Sequence, residues 1–132
     1  MELRITDLVN KWILKVENDL KAAAQMLSAE EPVTDAICFH CQQAAEKYFK
    51  AYLVSHGSAP EKTHKIERLI EDCSKIDRTF VSLVNTIELS EYAVESRYPD
   101  DFYIPGLDEA QNAFKLAGEV KLFILNRLKK QS

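Results

Sequence analysis

Glycine and proline are scarce, at three and four residues in a chain of 132. So few turn formers fit long helices better than many short strands. No stretch approaches the eighteen or so consecutive apolar residues of a membrane span. The opening "MELRITDLVN" lacks a basic segment followed by an apolar run. A soluble, cytoplasmic protein without a membrane partner is therefore expected. Positive charge is not in surplus either: seventeen basic against twenty-one acidic side chains leave a net charge of −4. That argues against a surface gripping duplex DNA mainly by phosphate neutralisation, while leaving room for a local basic pocket. The cysteines are odd in number, Cys38, Cys41 and Cys73. Nothing points to secretion, so reduced thiols without a structural disulfide are expected. The glycines form no phosphate-cradling loop, and no arrangement of serine, histidine and acid marks a self-sufficient catalyst.

What the chain does carry is helical periodicity, without an internal repeat or a second domain boundary, which predicts a single domain over 1–132. Leu8, Val9, Trp12, Ile13, Val16, Leu20, Ala23 and Leu27 follow Ile5 at spacings of three and four, one buried stripe of a first helix. Pro32 ends the connection after it. Thr34 is a candidate N-cap for a second helix, and Gly57 can take the left-handed conformation that closes it. Thr63 is a candidate cap for a third, with Ile66, Leu69, Ile70 and Cys73 inward. Asp77 is a candidate cap for a fourth, with Phe80, Leu83, Val84, Ile87 and Val94 inward, stopped at Tyr98-Pro99. Asp108 opens a fifth, burying Ala110, Ala113, Phe114, Ala117, Val120, Ile124 and Leu128. Short connections favour antiparallel neighbours, so the fold class is all-α, an up-and-down antiparallel bundle of about five helices.

The second helix contains "HCQQAAEKYFKAYL". On a wheel of about 100° per residue its apolar side chains cover an arc of roughly 240°, which predicts a central position. His40, Gln43, Lys47 and Lys50 line the remaining strip. Gln42 and Glu46 project instead into the apolar arc, where an ionised carboxylate needs a cation or several donors. Arg97 is one candidate partner. The plainer reading is an ordinary exposed pair with Lys50, four residues on, worth about 0.3 to 0.5 kcal/mol.

Taken in order, "FHCQQAAEKYFKAYLVSHG", "PEKTHKIERLI" and "SRYPDDF" resemble the HEPN domain (higher eukaryotes and prokaryotes nucleotide-binding). That family's pattern is a Q-x-x-E-K-x-x-K-A-x-L helix, a T-H-x-[IL] helix start and an R-Y-P-D segment. The resemblance covers essentially the whole chain. It implies a helical bundle that forms a homodimer, often beside a minimal nucleotidyltransferase partner, with roles from nucleotide binding to RNA cleavage in toxin–antitoxin pairs. Ribonuclease members carry an Arg followed four to six residues later by a His. Arg97 is followed by "YPDDFYIPG", which holds no histidine, and no other arginine stands that far ahead of His40, His56 or His64. The proton shuttle of metal-independent cleavage is thus missing from its usual place.

The site expected from these residues binds a nucleotide or RNA through Gln43, Lys47, Lys50, His64, Arg97 and Tyr98. His64 would sit in the first turn of the third helix, where free amides attract phosphate, and Tyr98 would stack on a base. Glu46 and Asp100 would give structural support. Cys38-x-x-Cys41 around His40 reads as buried thiols rather than zinc ligands, since both cysteines lie on the apolar arc. Asp100-Asp101 reads as a turn scaffold rather than a divalent metal site. No metal and no cofactor are expected. Two alternatives stand beside the binding module: a metal-independent RNase toxin using His64 or His40 as its shuttle, and a pure protein-interaction module. Phe114, Leu122 and Phe123 extend the apolar surface of the fifth helix, as a dimer contact or as core packing would.

Overall fold

A computed structural model describes residues 2–93 and 103–131. All regular structure in that range is helical: α1 (Glu2–Leu27), α2 (Thr34–Ser55), α3 (Ile66–Ser74), a 3-10 helix (Arg78–Tyr92) and α4 (Leu107–Gln131). The three long helices span roughly 33 to 39 Å at 1.5 Å per residue, lengths matched to one bundle. Among the described residues no helix is long and apolar enough to cross a membrane.

α2 is the central rod, as its wide apolar arc predicts. Ile37, Cys38, Cys41, Ala44, Ala45, Tyr48, Phe49, Tyr52 and Leu53 are all buried. It packs against every other element. Asp19 of α1 meets the earlier part of α2 at His40, while Glu17 acts on the later Tyr48, so α1 and α2 run in opposite directions. α4 runs parallel to α2. Its start lies near Cys38 through Tyr92 and Glu109, and Phe123 closes an aromatic cluster with Phe80 and Tyr52, at centroid distances of 4.8 and 4.6 Å.

The end of α2 is set locally. Gly57 has φ +77°, its amide donates to the Val54 carbonyl (2.9 Å), and the Ser58 amide donates to Leu53 (3.0 Å). This is the paired closure of a glycine C-cap, as expected at that residue. Beyond it, the first turns of α1 have no α2 surface to cover them. Ile5 and Leu8, expected in the buried stripe, are 36% and 45% exposed, and continuous burial begins only at Val16.

The caps differ from expectation at two helices. Thr34 is the first residue of α2, and Val33 holds the cap position without a side-chain bond. Thr63 accepts from the Lys65 amide in a local turn rather than capping α3. The first amide of α3, Ile66, donates instead to Ser90 Oγ at 2.7 Å, and Ser90 donates on to Glu67 at 3.0 Å. A serine 24 positions along the chain caps this helix, which no local motif announces. Asp77 caps the following helix as expected, accepting from the Thr79 amide at 2.9 Å.

That following segment is a 3-10 helix over 15 residues, not an α-helix. Isolated 3-10 runs seldom exceed about four residues, so packing must hold this one. Its period of three explains how: Phe80, Leu83, Thr86 and Leu89 are buried and Tyr92 is half-buried, one eclipsed row facing the core. Val84, expected inward on a 3.6 period, is 55% exposed, and Ile87 is only partly covered. Thr86 enters the core because its hydroxyl donates to the Leu83 carbonyl at 2.6 Å. Val94 lies outside the described residues.

α3 buries Ile66, Leu69, Ile70 and Cys73 as expected. α4 buries Ala110, Ala113, Ala117, Val120 and Ile124, with Phe114 and Leu128 partly covered. Tyr48 is fully buried, and its hydroxyl has no partner among the described residues. Burial, then the Glu17 carboxylate, pushes this phenol up to about 12.

If the remote cap holds α3, Ser90→Ala lowers stability by about 1 kcal/mol in urea denaturation. Thr63→Ala, which removes only the local turn contact, leaves it within about 0.5 kcal/mol.

Candidate functional site

The polar residues of α2 are organised by two carboxylates. Glu46 is 5% exposed, so both oxygens need donors. Lys50 Nζ donates to Oε2 at 2.9 Å. His64 Nδ1 and Gln42 Nε2 reach Oε1 at 2.9 and 3.1 Å. Gln42 also donates to the His64 carbonyl at 3.0 Å and accepts from Gln43 Nε2 at 2.7 Å. The second carboxylate is Asp19 of α1, which takes Lys47 Nζ at 2.6 Å and His40 Nδ1 at 2.9 Å.

The spacing of Glu46 and Lys50 gave the right pair in the wrong environment: it is buried, not an exposed surface couple. Burial alone raises the Glu46 carboxyl. The hydrogen bonds from Lys50, then His64, then Gln42, together with the Lys50 charge, outweigh it and hold the group below the usual carboxylate range. An ionised carboxylate can only accept, so His64 must carry its proton on Nδ1. The Nε2 edge then belongs to the outer part of a ring whose side chain is 67% exposed.

Several expected placements change. His64 precedes α3 rather than lying in its first turn. The Ile66, Arg68 and Leu69 amides are already bonded, to Ser90 Oγ or the Lys65 carbonyl, so the free-amide phosphate cradle is not available there. Lys47 turns to Asp19 instead of joining Lys50 and His64 around one ligand. The structure thus brings together Glu46, Lys50 and His64, with Gln43 behind them through Gln42. Arg97, Tyr98 and Asp100 lie outside the described residues.

Two members escaped the sequence reading. Asp19 borders the α1 stripe, between Val16 and Leu20, and an acid on the rim of a buried face was the available signal. Gln42 was seen to enter the apolar arc, and its use as a bridge needs the position of the His64 backbone.

The cysteines are free and buried. Burial pushes the Cys38 thiol up to about 11, with Glu109 and Asp35 adding to the rise. It pushes Cys41 up to about 12, with Cys38 and Asp19 adding. At neutral pH both stay thiols, the poorer form for zinc ligation or thiol exchange. Phe123 is engaged in the core, against Phe80 and under the Arg127 guanidinium at 3.5 Å, whereas Leu122 is 72% exposed.

The family model of the HEPN domain matches residues 9–128. The chain belongs to the HEPN family. No curated protein and no solved structure gives a significant match. Within this HEPN chain the matched segment contains both carboxylate clusters and all four α-helical cores, consistent with a helical protein of nucleotide- or RNA-related class.

Glu46→Gln removes the counter-charge of buried Lys50 and leaves His64 at most a neutral amide oxygen as acceptor. About 3 kcal/mol of stability is expected to be lost at pH 7, the scale for breaking a buried pair. Because the folded carboxyl is held low, its stabilisation is present above about pH 4.3, the ordinary glutamate value. It disappears as the pH falls through the folded value. Urea melts from pH 7 to 3 should therefore show a smaller loss in Glu46→Gln than in the wild type; parallel losses would contradict the assignment.

Proposed function

We propose that this HEPN domain binds the phosphate of a nucleotide or RNA at the surface where His64 emerges, and does not itself cleave RNA. The observation that carries the reading is the double character of His64. A purely structural histidine need not be two-thirds exposed, and a casual surface histidine need not be anchored to a buried carboxylate. Held this way, the ring presents its Nε2 edge outward and offers a charge-assisted donor to a phosphate whenever it carries a second proton, while the Lys50 charge offsets that of Glu46 behind it. Arg97 and Tyr98, from the R-Y-P-D segment, complete the proposed site as a phosphate clamp and a base platform. Gln43 backs it through Gln42, whereas Lys47 is held by Asp19 and is not counted in it.

The same dyad favours a second reading. A neutral His64 with its proton on Nδ1 has a lone pair on Nε2, the form required of a general base in metal-independent RNA cleavage. Against this stands the histidine-free segment after Arg97. In either case the working unit is proposed to be a cytoplasmic homodimer, with a minimal nucleotidyltransferase as partner. The exposed Ile5 and Leu8 on the overhanging turns of α1 support a contact with another chain.

Calorimetry with ATP and with a mixed-sequence 12-nucleotide RNA tests the proposal. At least one is expected to bind, about tenfold more weakly to His64→Ala or Arg97→Ala and unchanged to His56→Ala, with the RNA intact after incubation in chelator. Equal affinity of a folded His64→Ala variant would refute the site. Cleavage abolished by His64→Ala but not by His56→Ala would select the ribonuclease reading.

A further inference from the structure

The last turns of α2 and α4 and the start of the 3-10 helix border a cleft of about 530 Å³. Tyr52, only 2% exposed, forms part of its wall. Phe80 and His56 cover the ring, each at a centroid distance of 4.6 Å. Its hydroxyl has no hydrogen-bond partner among the described residues, and it feels the charges of Asp77 and Arg127, which line the same cleft. Burial, then Asp77 and Cys73, raises this phenol against the opposing charge of Arg127. At neutral pH it therefore keeps its proton and is a donor. In a residue so covered an unpaired hydroxyl calls for an acceptor, and the cleft is where one can arrive.

Two guanidinium groups line the cleft beside it. Arg127 stacks on Phe123, donates from Nη2 to Thr79 Oγ1 at 3.0 Å, and holds Nε 3.5 Å from Asp77 Oδ2. These contacts fix the plane of the fork and leave its Nη1 group without a partner among the described residues. Arg78 is exposed and has no partner there either.

Asp77 is the one carboxylate among the described lining residues, and both its oxygens are committed. Oδ1 accepts from the Thr79 amide and hydroxyl at 2.9 and 2.6 Å, and Oδ2 faces Arg127. Asp77 stays charged, so with His56 neutral the two arginines leave the cleft a single positive charge. One negative charge balances it, whereas a phosphate dianion would overshoot. Two planar forks and a phenol suit the oxygens of a carboxylate. Ile76, 40% exposed, and the His56 ring offer an apolar surface beside them.

We propose that this cleft binds a small organic carboxylate, its oxygens held by Arg78, Arg127 and Tyr52 and its apolar group laid against Ile76 and His56. The site shares no residue with the one at His64.

The test titrates the whole chain with benzoate, benzyl alcohol and phenyl phosphate at pH 7.5 in 50 mM salt, followed by amide and side-chain chemical shifts. Benzoate is expected to bind with a Kd of about 1 mM, shifting Tyr52, His56 and Arg78, with phenyl phosphate and benzyl alcohol at least about fivefold weaker. Tyr52→Phe deletes one oxygen from a packed ring and should weaken benzoate about fivefold, and Arg78→Ala, at an exposed position, about tenfold or more. His64→Ala should leave it unchanged. No benzoate binding, equal binding of benzyl alcohol or phenyl phosphate, or undiminished affinity in folded Tyr52→Phe would each overturn the proposal. So would displacement of benzoate by the 12-nucleotide RNA, since the ligand would then be a phosphodiester.

Discussion

A negative charge sits inside the most buried helix of this protein, and much of the surrounding polar architecture serves to satisfy it. Glu46 holds Lys50 along α2 and, through His64 and Gln42, fastens the connection that leads into α3. Leaving such a carboxylate unpaired costs several kcal/mol, far more than the few tenths available from an exposed pair at the same spacing. That difference makes the cluster a constraint on the path of residues 57–65 rather than a decoration of one helix. It also gives an exposed histidine a fixed tautomer, which links fold to chemistry.

The rest of the bundle depends on α2 being apolar almost all round. α1 and α4 take long faces of it. α3 and the 3-10 helix close the remaining side; the Ser90 cap joins them at one end, and at the start of the 3-10 helix Phe80 packs on Phe49 and Tyr52 of α2. The 3-10 geometry lengthens the second of these elements, at about 2.0 Å per residue instead of 1.5 Å. It also selects Thr86 rather than Val84 for the interior, with the threonine hydroxyl satisfied by its own turn. A family of helical proteins related to nucleotides and RNA is thus represented here by a bundle whose α2 is both its structural axis and the floor of its candidate site.

How far the sequence was readable follows from how local each signal is. The centrality of α2, the glycine cap at Gly57, the Asp77 cap and the inward faces of α3 and α4 depend on neighbours within a turn or two, and periodicity exposes them. The exposure of Ile5 and Leu8 depends on where the opposite helix stops. The period of three after Arg78 depends on the surface it packs against, and the row Phe80, Leu83, Thr86, Leu89 becomes visible only once the 3.6 period is set aside. In the site, the i, i+4 pair Glu46–Lys50 was legible, but its burial was not. Lys47 looked available for a ligand because Asp19, its partner, is 28 positions away on another helix.

The central claim is that an ionised, buried Glu46 dictates the protonation of His64. Long-range proton–nitrogen correlation spectra of the imidazole, recorded at a pH high enough to leave the ring neutral, test it most directly. The account predicts a protonated Nδ1 and a bare Nε2 in the wild type, with that preference lost in Glu46→Ala. A neutral ring carrying its proton on Nε2 in both proteins would contradict it.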